Sequence, residues 1–147
     1  MSDKFMEVRD KVISTLKTQF PRLRSVQPHG GPLDLEELKR FTLRVPAARV
    51  AWVGTTLSRD KIQKASGAST FAVYIVCKDR PGKPAPDQIA RLSEQITTFL
   101  DGNQFGLNYI GSARVHSTEN KYSSEQDITG AAIAEIRFEC PMILETA

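Results

Sequence analysis

Residues 23–54, LRSVQPHGGPLDLEELKRFTLRVPAARVAWVG, decide how the rest of this chain is interpreted. The pattern predicts a short edge strand over 23–27 and a change of direction through the glycine- and proline-rich segment 28–32. A buried strand is predicted over 48–54, where apolar residues point to both faces. Pro46 separates that strand from the segment before it, because proline cannot continue a helix.

A short helix is predicted between the turn and the buried strand. Asp34 and Glu37 have the spacing of a capping box, in which each side chain satisfies a free backbone amide at the helix start. The apolar residues that follow helical periodicity are Leu35, Leu38 and Phe41. None of these residues suggests a catalytic group at a bend.

The order of residues in this stretch resembles the tail-terminator (tail-completion) family of Mu-like bacteriophages and prophages. The shared pattern is V-x-P-x-G-G-x-L, a short helix, and then P-A-x-x-V-A-x-x-G. The matching residues here are Val26, Pro28, Gly30, Gly31, Leu33, Pro46, Ala47, Val50, Ala51 and Gly54. The order of elements is similar as far as the C-terminus, so the resemblance covers nearly the whole chain.

This resemblance implies a structural protein of the virion. Members form a homo-hexameric ring that caps the head-proximal end of the tail tube, stops tube polymerisation and provides the head-joining surface. The implied partners are other copies of the chain, the tail tube protein, a head–tail connector or head-completion protein, and in some phages the sheath. The implied location is the host cytoplasm during assembly and then the tail of the virion.

Length and composition indicate one domain over residues 1–147. The net charge of +3 is too small to indicate nucleic-acid binding by itself, so direct nucleic-acid binding is not expected. No apolar window is long enough for a membrane span, and no signal peptide is predicted, so we expect no membrane partner. Cys77 and Cys140 lie in apolar strand patterns and are predicted to be reduced core residues.

Two principal helices are predicted from their apolar stripes. The first spans residues 3–20 and ends before Pro21. The second follows the connector 79–86, with Asp87 as its predicted N-cap and Gly102 as its C-terminal stop. Its stripe consists of Ile89, Leu92, Ile96, Phe99 and Leu100.

The strongest strand pattern is TFAVYIVCK at residues 70–78, which is apolar on both faces. Two further strands are predicted over 109–118 and 129–140, and Pro141 is expected to end the last one. Alternation in 129–140 predicts one dry face and one wet face, the wet one carrying Glu135, Arg137 and Glu139.

The predicted fold is therefore α+β: a mainly antiparallel sheet of four to five strands, two principal helices packed on one face, and the short helix. Two helices on one face leave the other face open. We therefore expect a second subunit to bury the apolar residues that 48–54 and 70–78 present there.

Two polar segments are predicted to be loops, residues 55–69 and residues 117–127. They supply the predicted contacts with other subunits or with the tube: Arg59, Lys61, Lys64, Glu119, Lys121, Tyr122 and Glu125. Opposite charges on the two segments are expected to meet across neighbouring copies and to fix their register.

No catalytic, cofactor-binding or metal-binding residues are predicted. The chain has no phosphate-binding glycine loop with a following lysine and no G-x-S-x-G motif. His29, His116 and the two cysteines lack the local spacing of a zinc site. We therefore predict that the chain is not an enzyme and binds no cofactor.

Two alternatives belong to other functional classes. One is a small cytoplasmic nucleic-acid-binding or adaptor module that uses the early basic residues Lys11, Lys17, Arg22 and Arg24. The other is a small hydrolase whose pocket includes His29 or His116.

Overall fold

The chain forms an α+β fold in a computed structural model, which describes residues 3–30, 44–59, 65–121 and 131–144. Two helices and five strands are present in these ranges. In chain order they are α1 (Lys4–Gln19), β1 (Ser25–Pro28), β2 (Ala47–Arg59), β3 (Ala65–Lys78), α2 (Ala85–Leu100), β4 (Arg114–Asn120) and β5 (Ala131–Ile143). The short helix predicted after Asp34 lies outside the described residues.

The strands form one mixed sheet in the order β1-β2-β3-β5-β4. β1 runs parallel to β2, and the other three neighbouring pairs are antiparallel. α1 packs against β1 and β2, whereas α2 packs against β3, β4 and β5. Both helices contribute to one core on a single face of the sheet, which confirms the predicted fold class.

The core between helices and sheet is built from the predicted apolar stripes. Val12 and Leu16 of α1 and Ile96 of α2 are fully buried in it. On the sheet, the rings of Phe71 and Phe138 stack with centroids 5.6 Å apart. This close packing of apolar side chains is the main favourable contribution to folding.

The start of α2 is capped by Asp79. Its carboxylate oxygen Oδ1 accepts a hydrogen bond of 2.7 Å from the backbone amide of Ala85. The prediction that Asp87 is the N-cap is wrong, because Pro84, three residues earlier, occupies the N-cap position. A carboxylate from outside the helix therefore satisfies an amide that has no partner within it.

β2 and β3 form a long hairpin, paired from Ala47–Val76 to Arg59–Ala65. The prediction of a loop over 55–69 is therefore wrong for residues 55–59 and 65–69, and residues 60–64 lie outside the described ranges. The hydroxyl groups of Thr55 and Ser69 are 2.8 Å apart across this pair. Residues 55–59 and 65–69 are mostly small or polar and show no alternation of apolar and polar residues. Their pairing into strands could therefore not be predicted from the sequence.

β5 continues through Pro141 to Ile143, so the prediction that Pro141 ends the strand is wrong. The amide of Gly111 donates a 2.8 Å hydrogen bond to the Pro141 carbonyl, on the side away from β3. In antiparallel pairing the N–H and C=O of a residue point the same way, so the missing proline N–H also faces away from β3. Pro141 therefore removes no hydrogen bond from the β3–β5 pair.

β4 differs from its prediction at both ends. It begins at Arg114 rather than at residue 109, and it continues to Asn120 through residues that were predicted to begin a loop. A register irregularity lies between Val115 and Ser117. This irregularity interrupts the alternation that the sequence analysis relied on.

The second face of the sheet is also buried at its centre. Ala51, Ala72 and Tyr74 form a separate apolar cluster there, and the last is only 2% exposed. The expectation that a second subunit buries these residues is wrong, because they are already inaccessible in a single chain.

Candidate interaction surfaces

Polar side chains form a row across the second face of the sheet. The strand register pairs Arg49 with Tyr74, Tyr74 with Glu135, and Glu135 with Glu119. Residues directly opposite one another in neighbouring strands have side chains within contact distance. The row, named here the polar row, therefore crosses β2, β3, β5 and β4.

Glu135 is the most buried carboxylate in the polar row, at 4% exposure. Its Oε1 lies 2.9 Å from Arg137 Nε and 3.7 Å from Lys121 Nζ. Burial raises the pKa of Glu135, but the hydrogen bonds from Arg137 and Tyr74 and the charges of Arg137 and Lys121 outweigh burial and lower the pKa overall. The prediction that Glu135 lies on a wet face is wrong, since these partners replace water.

Arg49 of β2 lies at the end of the polar row opposite to Glu119, and it links β2 to β1. Its Nη1 donates to Ser25 Oγ in β1 and to the Ala48 carbonyl, both at 3.0 Å. Burial lowers the pKa of the Arg49 guanidinium. A buried guanidinium needs hydrogen-bond acceptors, and these contacts supply two of them.

Two of the predicted contact residues lie close together. Lys121 Nζ is 2.9 Å from Glu119 Oε2, and the pKa of Lys121 is raised by its hydrogen bond with Glu119 and by the charge of Glu135. Both side chains are about half exposed, so this pair can still contact another molecule. Arg59 is the last residue of β2. The remaining predicted contacts, Lys61, Lys64, Tyr122 and Glu125, lie outside the described residues.

The two groups of predicted contacts lie far apart along the sheet. Arg59 pairs with Ala65, whereas Glu119 aligns with Tyr74 through Glu135. Ala65 and Tyr74 are nine residues apart in β3. At about 3.3 Å per residue the separation is about 30 Å. The fold therefore does not bring Arg59 and Glu119 together within one chain.

Large apolar side chains are exposed on the outer part of the hairpin. Leu57 of β2 is 58% exposed and Ile143 of β5 is 57% exposed. The helix-side core includes no described residue of β2 after Val50 and no described residue of β3 before Phe71, so Leu57 lies beyond it, whereas Ile143 directly follows the core residue Met142. The two side chains lie on opposite faces of the sheet, because Leu57 aligns with Met142 and Ile143 aligns with Ser58. Exposed apolar residues are ordinary singly, so each is a candidate contact of its own face.

Trp52 lies at the base of this hairpin extension. Its ring stacks on Phe5 of α1 with centroids 5.0 Å apart, and its Nε1 donates a 3.0 Å hydrogen bond to Thr55 Oγ1. The side chain is 41% exposed, so one part packs on α1 and another part faces solvent. Trp52 is therefore only partly buried, although it lies in the segment 48–54 that was predicted to be a buried strand.

A groove lies between α2 and β4, with a cavity volume of about 350 Å³. It is named here the α2–β4 groove. The Glu119 side chain points to the other face of the sheet, towards Lys121, so Glu94 is the one carboxylate that α2 contributes. The eleven lining residues are Pro86, Ile89, Ala90, Ser93, Glu94, Thr97, Thr98, Thr118, Glu119, Asn120 and Ala134. Sequence analysis did not predict this groove, because its residues come from three elements, α2, β4 and β5, whose relative positions are set by packing.

Ser93 is the unusual residue of the α2–β4 groove. It is 5% exposed, and its hydroxyl has no hydrogen-bond partner among the residues that the structure describes. The neighbouring hydroxyls of Thr97 and Thr118, in contrast, are 2.7 Å apart and join α2 to β4. Buried hydroxyls are nearly always paired, so Ser93 is an exception among the described side chains.

The described residues form no cluster of three or more metal-ligating side chains. His116 Nε2 lies 3.2 Å from Glu139 Oε2 in an exposed pair, and the His29 ring packs edge-on against Tyr74. The basic residues Lys11, Lys17, Arg22 and Arg24 are all exposed, and Arg22 donates a hydrogen bond to Gln95. Neither described helix is long and apolar enough to cross a membrane.

No protein-family model matches this chain, and no curated protein matches its sequence. The chain is similar to a solved structure that carries no functional name, one of 32 solved chains that match. The TM-score is 0.56 at 14% sequence identity, over 100% of this chain and 99% of the other. At this identity the likeness shows a shared fold and nothing about function.

Proposed function

We propose that this chain is a phage tail terminator, which forms a homo-hexameric ring on the head-proximal end of the tail tube. The ring stops addition of tube subunits and offers a surface to the head-completion or connector proteins. In this proposal the chain catalyses no reaction and holds no cofactor. Its partners are copies of itself and the last ring of the tube.

The observation that carries the proposal is the hairpin extension formed by the outer halves of β2 and β3 and the end of β5. It continues beyond the helix-side core and exposes Leu57 and Ile143. Its tip connection carries Arg59, Lys61 and Lys64 against one acidic residue, Asp60. An extended element that exposes an apolar side chain on each face and carries basic residues at its end is suited to contacts between proteins.

The separation of the two predicted contact groups favours head-to-tail association. Arg59 ends the hairpin, whereas Glu119 lies about 30 Å away along the strand direction. A contact between different surfaces of identical subunits closes into a ring when the rotation between copies allows it. Six such copies would present the same weak contact to the tube six times, which multiplies the affinity of one contact.

The resemblance residues that the structure describes lie in β1, in β2 or directly beside them. Val26, Ala47, Val50 and Ala51 are all buried, so they belong to the scaffold that holds the hairpin. They support the proposal through the likeness of scaffold and not through a contact site.

Electron microscopy of the purified protein mixed with tail tubes tests this proposal. Tube protein from the genome that encodes this chain is assembled, and the tube ends are compared with and without the chain. We expect a cap with six copies at one end of each tube. Bare tube ends at high protein concentration would contradict the proposal.

A further inference from the structure

We infer that residues 31–43, the connection between β1 and β2, pack across the second face of the sheet in their own chain. This connection lies outside the described residues, and the inference rests on three properties of the residues around it. These are the directions of β1 and β2, the positions of the two described helices, and the burial of the second face. The inference does not depend on the proposed function.

The parallel pair of β1 and β2 needs a connection that returns along the sheet. β1 ends opposite Val50, whereas β2 begins at Ala47, opposite Ser25. Residues 31–43 must therefore run back along the whole pair, which is about 10 Å long at about 3.3 Å per residue. Connections between neighbouring parallel strands make this return by crossing over one face of the sheet.

The helix side of β1 and β2 is already occupied by α1. The helix packs against both strands, and Val12 and Leu16 share the helix-side core with Val26 of β1 and Val50 of β2. Side chains in such a core are closely packed, so there is no room for another segment between α1 and these strands. This leaves the second face for the connection.

The handedness of the connections gives the same answer. α2 joins β3 to β4, which run parallel to each other, over the helix side of the sheet. The step from β1 to β2 crosses the sheet in the same direction, but β1 and β2 run opposite to β3 and β4. Two connections of the same hand then lie on opposite faces, and crossover connections between parallel strands are almost always right-handed. The β1–β2 connection therefore belongs to the face opposite α2.

The second face is buried although both described helices lie on the other side. Tyr74, Val76 and Ile133 are 2%, 1% and 4% exposed, and none of them belongs to the helix-side core. Val76 pairs with Ala47 and precedes the core residue Cys77, so its side chain points to the second face. A single sheet layer cannot make such side chains inaccessible, so a further layer of the same chain covers them.

The residues at the start of the connection turn towards this face. His29, two residues before the connection, packs its ring edge-on against Tyr74, with centroids 6.5 Å apart. The connection itself carries Leu35, Leu38 and Phe41 at helical spacing, which predicts a segment with one apolar side. An apolar side of this kind suits the buried centre of the second face.

The other two internal segments outside the described ranges have no reason to cross the sheet. Residues 60–64 join the paired residues Arg59 and Ala65 at the end of the hairpin extension. Residues 122–130 join β4 to β5, which are antiparallel neighbours, so this connection returns at one end of the sheet. Of the three segments, residues 31–43 are therefore the one whose path crosses a face.

This arrangement limits where another molecule can bind. The centre of the second face is covered by the chain itself, so it is not available to a second copy. Contacts between copies must then use the hairpin extension, the edges of the sheet or the outer surfaces of the helices.

Photocross-linking of the full chain tests the position of the connection. Phe41 is replaced by p-benzoylphenylalanine, the dilute protein is irradiated without tubes, and mass spectrometry identifies the linked residue. We expect links within one chain to second-face residues such as Tyr74 and Val76. The same replacement of Met6, which is 50% exposed on α1, is the control and is expected to give no such link. Links from position 41 to α1, or to another copy, would overturn the inference.

A conservative truncation tests the same contact without a bulky probe. Leu38→Ala is expected to lower the urea midpoint of unfolding by about 1 M, because it removes a side chain that is buried against the sheet. Lys39→Ala, at the next position, is the control and is expected to leave the midpoint nearly unchanged. Equal midpoints for the two variants would contradict the inference. Neither experiment requires assembly or tubes, so its outcome is independent of the tail-terminator proposal.

Discussion

Gly67 of β3 lies so close to Thr56 of β2 that a Cβ at position 67 would be 2.6 Å from the Thr56 carbonyl oxygen. That oxygen belongs to the backbone, so a small side-chain rotation cannot relieve the contact. The glycine therefore lets the two strands of the hairpin extension approach each other closely. Hairpin geometry at this point depends on the absence of a single carbon atom.

Gly67→Ala is expected to destabilise the hairpin extension. The added methyl group must displace the backbone of β2, which typically costs about 1–3 kcal/mol. The measurement is the urea midpoint of unfolding, compared with that of Gly54→Ala. Gly54 lies in the same hairpin, and a Cβ added there would have no described atom within 4 Å, so it is the matched control. Equal midpoints for the two variants would contradict the close approach.

Glu135→Gln is expected to reduce the free energy of unfolding at pH 7 by about 1–2 kcal/mol, because it removes the ion pair with Arg137. The partial exposure of Arg137 keeps this loss modest. The pKa of Glu135 is lower in the folded chain than its ordinary value of 4.5. Its charge therefore stabilises the fold above about pH 4.5, and this contribution disappears as the pH falls through the folded pKa.

The difference in unfolding free energy between wild type and Glu135→Gln is accordingly expected to shrink below about pH 4.5. Urea titrations at several pH values measure this difference. Glu94→Gln provides the control, because it removes a carboxylate that is exposed and has no ion pair with any described residue. A constant difference for Glu135→Gln from neutral to strongly acidic pH would mean that the carboxylate charge does not contribute.

Leu57→Ser is expected to weaken assembly while leaving the fold intact. Leu57 is 58% exposed, so its replacement should change the unfolding free energy by less than about 0.5 kcal/mol. Burial in a contact between copies would instead make the leucine contribute to association. Sedimentation velocity measures the association, with Met6→Ser on the exposed part of α1 as control. Unchanged assembly of the Leu57→Ser variant would show that the Leu57 side of the hairpin extension is not part of the contact.

Cys77 and Cys140 are expected to resist thiol reagents in the folded protein at about pH 8. Burial raises the pKa of Cys77 to about 11, although the charge of Arg80 opposes the shift. Burial and the charge of Glu139 raise the pKa of Cys140 to about 12. The thiolate is the reactive form, so little of it is present at about pH 8. Labelling of both thiols only after unfolding is the expected result, and rapid labelling without denaturant would contradict it.

The sequence predicted the parts of the fold whose burial follows a regular period. Residues 70–78 form the C-terminal part of β3, and the two apolar stripes form α1 and α2. The prediction of reduced core cysteines is confirmed, because Cys77 and Cys140 are free and buried. In each case the apolar residues recur with the period of the helix or strand, so the sequence alone predicts which residues are buried.

The sequence did not predict features that depend on partners distant in the chain. Glu135 has the alternation of a solvent-facing residue, yet Arg137, Lys121 and Tyr74 make its burial favourable. The outer hairpin strands contain serine, threonine, alanine and glycine, whose weak periodicity hides a strand that backbone pairing forms. The α2–β4 groove exists only because packing brings α2 beside β4.

Growth of tail tubes in the presence of this chain tests the central claim most directly. Preformed tubes are incubated with the chain, fresh tube subunits are added, and tube lengths are measured by electron microscopy. A tail terminator is expected to hold the lengths constant once about one ring is present per tube. Tubes that lengthen at the same rate with and without the chain would contradict the account.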